Sequence, residues 1–342
     1  MSNRVKKRQA EQKANYLGRC SADGCRSEVG FEAVPYPGIE VVRECSDCGT
    51  MTVFRLDSED TAREIYKLRP DKLEINQAIT RVFARLQMQI GVRSLFYQLA
   101  SVEQVIPKTE KAYNVVCNYV SDMRLRGWLD WRCITDESRL YFTQQTYSGI
   151  GEALDHVSMS YRKDLWEDRQ DVVQIWIEKL GLAGTIRPIT YQYDVSLLPV
   201  RGYNSLTFLH QTAEEIKEAN RAGKRFFIYH FGDYDPSGVN AAETIEDSLQ
   251  SLGAGNFNFE RMAITRQQIA EYSLPTRPTK KSDTRSKDFE GDSCELDALD
   301  PRILRDLTER CILNHIDKPE LEQLKAVEEM ERQQLQQLKY QL

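Results

Sequence analysis

The run Phe226-Phe227-Ile228-Tyr229-His230-Phe231-Gly232-Asp233-Tyr234-Asp235-Pro236-Ser237-Gly238 narrows the choice of fold more than any other part of the chain. Its apolar first half reads as a strand, and two acids two positions apart at the end of that strand project in the same direction. Carboxylates so placed suit a hard divalent cation such as Mg2+, which favours oxygen ligands and keeps several of its waters. Pro236 and Gly238 mark a sharp turn, and Val239 through Leu252 has the composition of a helix. Acidic turn residues of this kind also serve simply to cap the helix that follows.

A second segment shifts the balance towards a site. Asp171-Val172-Val173-Gln174-Ile175-Trp176-Ile177-Glu178-Lys179 is another apolar strand candidate that ends in an acid. If the two strands are parallel neighbours, Glu178 meets Asp233 and Asp235 at the carboxyl edge of the sheet, where open α/β folds place their ligands.

A strand ending in Glu, followed some tens of residues later by one ending in Asp-x-Asp, resembles the Toprim domain of topoisomerases, bacterial-type primases and some nucleases. The longer form, Gly232 through Gly238, is most similar to the version in the topoisomerase VI A subunit and its meiotic double-strand-break relative. Upstream, Val92-Arg93-Ser94-Leu95-Phe96-Tyr97-Gln98-Leu99 resembles the Arg-x-(Ile/Leu/Val)-(Tyr/Phe)-Tyr signature of the same proteins. The resemblance implies that Tyr97 is a nucleophile, with Arg93 its neighbour near the scissile phosphate. On a helix the two are four positions apart and share a face. A phenol at its ordinary pKa of about 10 needs a cation or a metal to stabilise its phenolate. The competing reading is a core tyrosine between Phe96 and Leu99.

Helical periodicity surrounds this segment. Ile75, Ile79, Val82, Phe83 and Leu86 mark a first helix, and Leu95 and Leu99 a second. Thr109 is an N-cap for a third helix, whose buried stripe is Ala112, Val116, Tyr119, Val120 and Met123, ending at Gly127. Trp128 through Ile134 and Leu140-Tyr141-Phe142, separated by a polar turn, read as a two-stranded wing. Three helices and a wing make a winged-helix domain, whose third helix commonly enters the major groove. Lys108, Lys111, Arg124 and Arg126 would then meet phosphates or base edges, unless they only form the solvated face of a helical core.

Near the amino terminus, Cys20 and Cys25 enclose four residues, Cys45 and Cys48 enclose two, and 19 residues separate the pairs. This spacing reads as a four-thiolate zinc ribbon, in which Zn2+ replaces a core too small to form otherwise. Disulfides are the alternative; no signal peptide or apolar span accompanies these cysteines. The topoisomerase VI A resemblance does not extend to the ribbon.

The expected organisation is a basic tail over residues 1–14, a zinc ribbon over 15–60, a linker over 61–74, a winged-helix domain over 75–165, an α/β Toprim domain over 166–315 and a carboxyl-terminal helix over 316–342. A net charge of −6 argues against a generic DNA-coating protein, so local basic patches matter more. One such patch is the tail. The other, containing Arg277, Lys280, Lys281, Arg285 and Lys287, could hold a phosphate backbone, with Lys280 and Lys281 at its centre. Glu295 through Leu299 resembles a motif late in the topoisomerase VI A region, and its acids are left outside the expected site. His156, His210, His230 and His315 lack metal-ligand spacing, and Gly223-Lys224 lacks the rest of a nucleotide-binding loop.

The resemblance covers roughly residues 75 to 315, and the compact length is similar to stand-alone Mini-A relatives of topoisomerase VIII. It implies a homodimer that cleaves double-stranded DNA with Mg2+, leaving each protein joined to a 5′ end, with strand passage requiring a separate ATPase subunit. A Toprim nuclease using activated water, and a non-catalytic DNA-binding or regulatory protein, are the alternatives. The absence of targeting signals leads to the expectation of an intracellular, cytoplasmic protein.

Overall fold

The computed structural model of the chain describes residues 13–36, 38–56, 70–135, 145–200, 205–279, 289 and 291–338. It divides into two compact units, one made of Met1–Asp136, Glu271–Pro275 and Asp297–Ile303, the other of Glu137–Ala270, Thr276–Leu296 and Leu304–Leu342.

The first unit opens with two antiparallel hairpins. β1 (Ala14–Arg19) pairs with β2 (Glu28–Ala33), and β3 (Glu40–Glu44) with β4 (Met51–Arg55). Three helices follow: α1 (Pro70–Leu86), α2 (Val92–Tyr97), which continues into a π-helical turn over Gln98–Val102, and α3 (Glu110–Arg126). The apolar stripe of α1 is buried as its periodicity requires, with Ile79, Val82 and Phe83 fully enclosed. Thr109 caps α3, its hydroxyl accepting the Ala112 N–H at 3.2 Å. Gly127 ends that helix at φ +74°, and a Cβ there would collide with the Glu32 carbonyl oxygen.

The ribbon and the helices, expected as separate domains, share this unit. Asn76 on α1 bonds both the N–H and the carbonyl of Glu40 at 3.0 Å, and Gln87 does the same for Met51 at 2.7 and 3.0 Å. The free edge of β3 is closed by Trp128 and Asp130: Val42 N–H donates to the Trp128 carbonyl at 3.0 Å and the Asp130 N–H to the Val42 carbonyl at 3.1 Å. A four-cysteine ribbon has little core, and this docking supplies it with the buried Ile39, Val41 and Val42.

That docking also corrects the expected wing. Trp131–Cys133 is a turn of 3-10 helix begun by Asp130, whose side chain accepts the Arg132 N–H at 3.0 Å, and only Leu129 and Ile134 form isolated bridges, to Val42 and Ile90. Residues that read as one wing strand are instead used to cover the ribbon. The expected second wing strand, Leu140-Tyr141-Phe142, lies outside the described residues.

The second unit begins with α4 (Ile150–Ser160) and is built on a parallel sheet of β5 (Asp171–Ile177), β6 (Ser196–Pro199), β7 (Arg225–Phe231) and β8 (Phe257–Ala263) in the order β6-β5-β7-β8. Between the strands run α5 (Leu180–Gln192), α6 (Leu206–Arg221) and α7 (Pro236–Ser251), and after β8 come α8 (Arg266–Glu271), α9 (Pro301–Leu313) and α10 (Lys318–Leu338). The central strands β5 and β7 are apolar nearly throughout because both faces are covered. Trp176, Phe226 and Ile228 lie against Leu209, Ala213, Ile216, Ile245 and Leu249 of α6 and α7. On the opposite face His315 lies 4.3 Å from the Phe227 ring and bonds the Tyr229 hydroxyl at 2.7 Å. From β5 the chain passes to β6 on one side and then to β7 on the other. The order therefore reverses between β5 and β7, which opens a crevice at their carboxyl ends.

Candidate metal centres and the tyrosine helix

The pairing of β5 with β7 brings the acids at their ends together. Ile177 lies opposite Phe231, and the Glu178 N–H donates to the Phe231 carbonyl at 2.8 Å. Glu178 Oε2 in turn accepts the Asp233 N–H at 3.0 Å. Gly232 allows this approach, since a Cβ there would stand 2.7 Å from both Glu178 Oε2 and His230 Cε1. His230 is buried beneath, its Nδ1 without a hydrogen-bond partner; burial, helped by nearby Arg261, lowers its pKa to about 3 and keeps it neutral.

Asp233 holds two partners: its Oδ1 accepts the Leu296 N–H at 2.7 Å and its Oδ2 lies 3.0 Å from the Lys179 ammonium. Asp235 caps α7, with Oδ1 accepting the Gly238 N–H at 2.7 Å and Oδ2 lying 3.9 Å from Arg277. Capping and a place at the sheet edge are therefore both true of Asp235. Burial first, and then the charges of Asp233 and Asp235, push the Glu178 carboxyl above the ordinary carboxylate range.

Four residues outside the sequence expectation complete this edge. Glu295, buried, pairs with Arg277 at 3.1 Å and with Lys179 at 3.5 Å. Arg261 on β8 is buried under the turn and donates to the carbonyls of Gly238 at 3.0 Å, Gly232 at 3.3 Å and Asp233. Burial lowers the pKa of Arg261 and the three acids act against that, so it is a fixed positive charge beneath the acidic loop. Lys179 directly follows Glu178 in sequence, and Glu295 sits in the motif noted near residue 296. Arg277 belongs to the basic patch read from the sequence, but no local pattern places it or Arg261 at the acidic edge.

The cysteines form the tighter cluster. Among the described residues, Cys20, Cys25, Cys45 and Cys48 are the group of metal-ligating side chains whose donor atoms all lie within 4.8 Å of one another. Cys20 Sγ lies 3.5 Å from Cys48 Sγ and Cys25 Sγ 4.0 Å from Cys45 Sγ. Tetrahedral coordination with metal–sulfur bonds of ~2.3 Å places sulfurs ~3.8 Å apart, so this cluster could hold a metal such as zinc. The second knuckle favours thiolates: the backbone N–H groups of Cys48 and Asp47 lower the pKa of Cys45, and the Thr50 hydroxyl lowers that of Cys48. At Cys20 the Ala22 N–H acts in the same direction, but burial and the neighbouring thiols outweigh it and push the pKa up to about 11. All four are free thiols rather than disulfides.

Tyr97 is the last residue of α2 and is 4% exposed, its ring edge-on to Phe96. Arg93, expected beside it, ion-pairs with Glu110 at 3.6 Å and lies 4.6 Å over the Tyr113 ring. The Lys108 ammonium lies 5.2 Å from the centre of the Tyr97 ring and donates to the Pro275 carbonyl at 2.7 Å.

The expected DNA contacts divide. Lys108 and Lys111 are exposed. Arg124 stacks 4.4 Å from the ring of the exposed Trp131 and donates to its carbonyl at 2.8 Å. Arg126, expected as an exposed cation, is instead buried, 4.7 Å over the Trp128 ring, because the last turn of α3 faces the segment that closes β3. Lys280 and Lys281 lie outside the described residues. No helix among the described residues is long and apolar enough to cross a membrane.

No protein-family model, curated protein or solved structure matches this chain. Its functional assignment rests on local motifs and on the geometry above.

Proposed function

We propose that this protein is a Mg2+-dependent DNA-cleaving transesterase of the topoisomerase VI A kind, with a Toprim-like α/β unit, a winged-helix-like helical unit and a structural zinc ribbon. The observation that carries the reading is the carboxylate edge: Glu178, Asp233 and Asp235 stand at the strand ends where the order of a parallel sheet reverses. The donor set is all oxygen, which suits a hard divalent cation, and burial first, then the charges of Asp233 and Asp235, raise the Glu178 pKa. Glu178, Asp233 and Asp235 would hold Mg2+, which supplies charge neutralisation to the phosphate and to the leaving oxygen. In this structure Lys179 and Arg277 balance part of that charge.

The Tyr97 oxygen attacks phosphorus, the bond to the 3′ oxygen breaks, and that oxygen leaves as a 3′ hydroxyl while the 5′ phosphate stays on the tyrosine. Two such attacks by a homodimer yield a double-strand break, and a separate ATPase subunit would be required for strand passage. Zn2+ at the four cysteines would tie the two hairpins together, while Asn76 and Gln87 bond the ribbon to the helical part of its unit. Wild-type protein is expected to linearise supercoiled plasmid with Mg2+, and Glu178→Gln and Asp233→Asn to reduce this at least ~100-fold. Equal cleavage by these variants would refute the assignment.

The burial of Tyr97 favours a second reading, hydrolysis by metal-activated water with Tyr97 structural. That reaction yields protein-free ends and is indifferent to Tyr97→Phe.

A further inference from the structure

A phenol is a poor nucleophile at its ordinary pKa of about 10, so a nucleophilic role for Tyr97, which is 4% exposed, calls for a positive charge nearby. The candidate from sequence, Arg93, ion-pairs with Glu110 at 3.6 Å and lies 4.6 Å over the Tyr113 ring. Two further cations among the described residues are also paired. Arg81 pairs with Glu103 at 2.8 Å, and Arg85 bonds Gln98 at 2.7 Å and Asp300 at 3.3 Å. The Lys108 ammonium is placed against the Tyr97 ring itself, 5.2 Å from its centre, and its bond to the Pro275 carbonyl holds it there. It stands just before the Thr109 cap, so the start of α3 fixes its backbone.

We infer that Lys108 is a positioning residue for Tyr97: its ammonium stabilises the phenolate and readies that oxygen for attack on a DNA phosphate. The role in attack rests on the reading of Tyr97 as nucleophile; the electrostatic coupling does not. In the step concerned the Tyr97 O–H bond breaks and its proton passes to water, while Lys108 stays protonated. Lys108 thus acts as a fixed charge and not as a base. An arginine could replace it, whereas an uncharged side chain of the same length could not.

The test uses the full chain labelled with 3-fluorotyrosine and titrated by fluorine NMR, with the Tyr97 resonance assigned by its loss in Tyr97→Phe. Lys108→Met is expected to raise the Tyr97 midpoint by about one unit, and Lys108→Arg to leave it near wild type. An unchanged midpoint in Lys108→Met overturns the inference. Because no DNA is present, this readout stands whatever the protein does to DNA. In a second arm, covalent adduct formation on plasmid at neutral pH is expected to slow about tenfold in Lys108→Met and to recover in Lys108→Arg, since one unit of pKa is a tenfold change in phenolate. A Tyr97-dependent adduct formed equally fast by Lys108→Met overturns the role of Lys108 and leaves the cleavage reading intact. A shifted midpoint with no adduct from wild type supports the coupling and refutes the cleavage reading instead.

Discussion

The carboxylate of Glu178, one residue past β5, accepts the backbone N–H of Asp233, two residues past β7, at 3.0 Å. This bond ties the ends of two neighbouring parallel strands, so the first acid is positioned by the backbone that carries the second. The site geometry therefore depends on the residue between β7 and Asp233, which is Gly232.

Gly232→Ala is expected to disable the site while leaving the sheet assembled. The added Cβ would meet Glu178 Oε2 and His230 Cε1 at 2.7 Å, and one of them must move. Displacing a catalytic carboxylate by about 1 Å costs roughly 100-fold in rate. Plasmid cleavage and a circular-dichroism melt, measured together, check this: wild-type cleavage by a folded Gly232→Ala protein would contradict the account.

Glu178 makes stability depend on pH in a definite direction. Its folded-state pKa is raised, so between the ordinary and the raised value the folded protein holds the proton more tightly than the unfolded chain, and stability falls as pH rises through that window. Glu178→Gln removes the ionisation but keeps an oxygen to accept the Asp233 N–H. Without added divalent cation, its thermal midpoint is expected to exceed wild type by a few degrees at pH 7 to 8, and to match it near pH 4, where both side chains are neutral. A midpoint below wild type at pH 7 would show that the carboxylate is stabilising there.

Much of this architecture was legible in the sequence because it was encoded locally. The unbroken apolar runs of β5 and β7 announced strands covered on both faces, and their terminal acids fixed where they would meet. Thr109 and Gly127 bracketed α3, and the cysteine spacing marked the ribbon. What escaped was carried by long-range contacts. The pairing of Val42 with Trp128 and Asp130 uses backbone groups that every sequence has, so the wing was read where a ribbon contact lies. Arg126 reads as a surface cation and is buried under Trp128. Glu295, Arg261 and Arg277 reach the acidic edge only once β8 and the following segment fold back beside β7.

The cysteine cluster predicts one zinc per chain by elemental analysis. Because the ribbon is bonded to α1 through Asn76 and Gln87, loss of the metal should destabilise the helical unit as well as the hairpins. Cys45→Ser, or stripping with a strong chelator, is expected to lower the unfolding midpoint by about 10 °C or more. A metal-free protein with an unchanged melt would mean that the thiols pack without a coordination role.

The central claim is that Tyr97 is the nucleophile, and the direct measurement is incubation of wild type and Tyr97→Phe with supercoiled plasmid and Mg2+, stopped with SDS and resolved before and after protease. The account predicts linear DNA that carries covalently bound protein at its 5′ ends and disappears with Tyr97→Phe. Protein-free linear DNA produced equally by both proteins would contradict it.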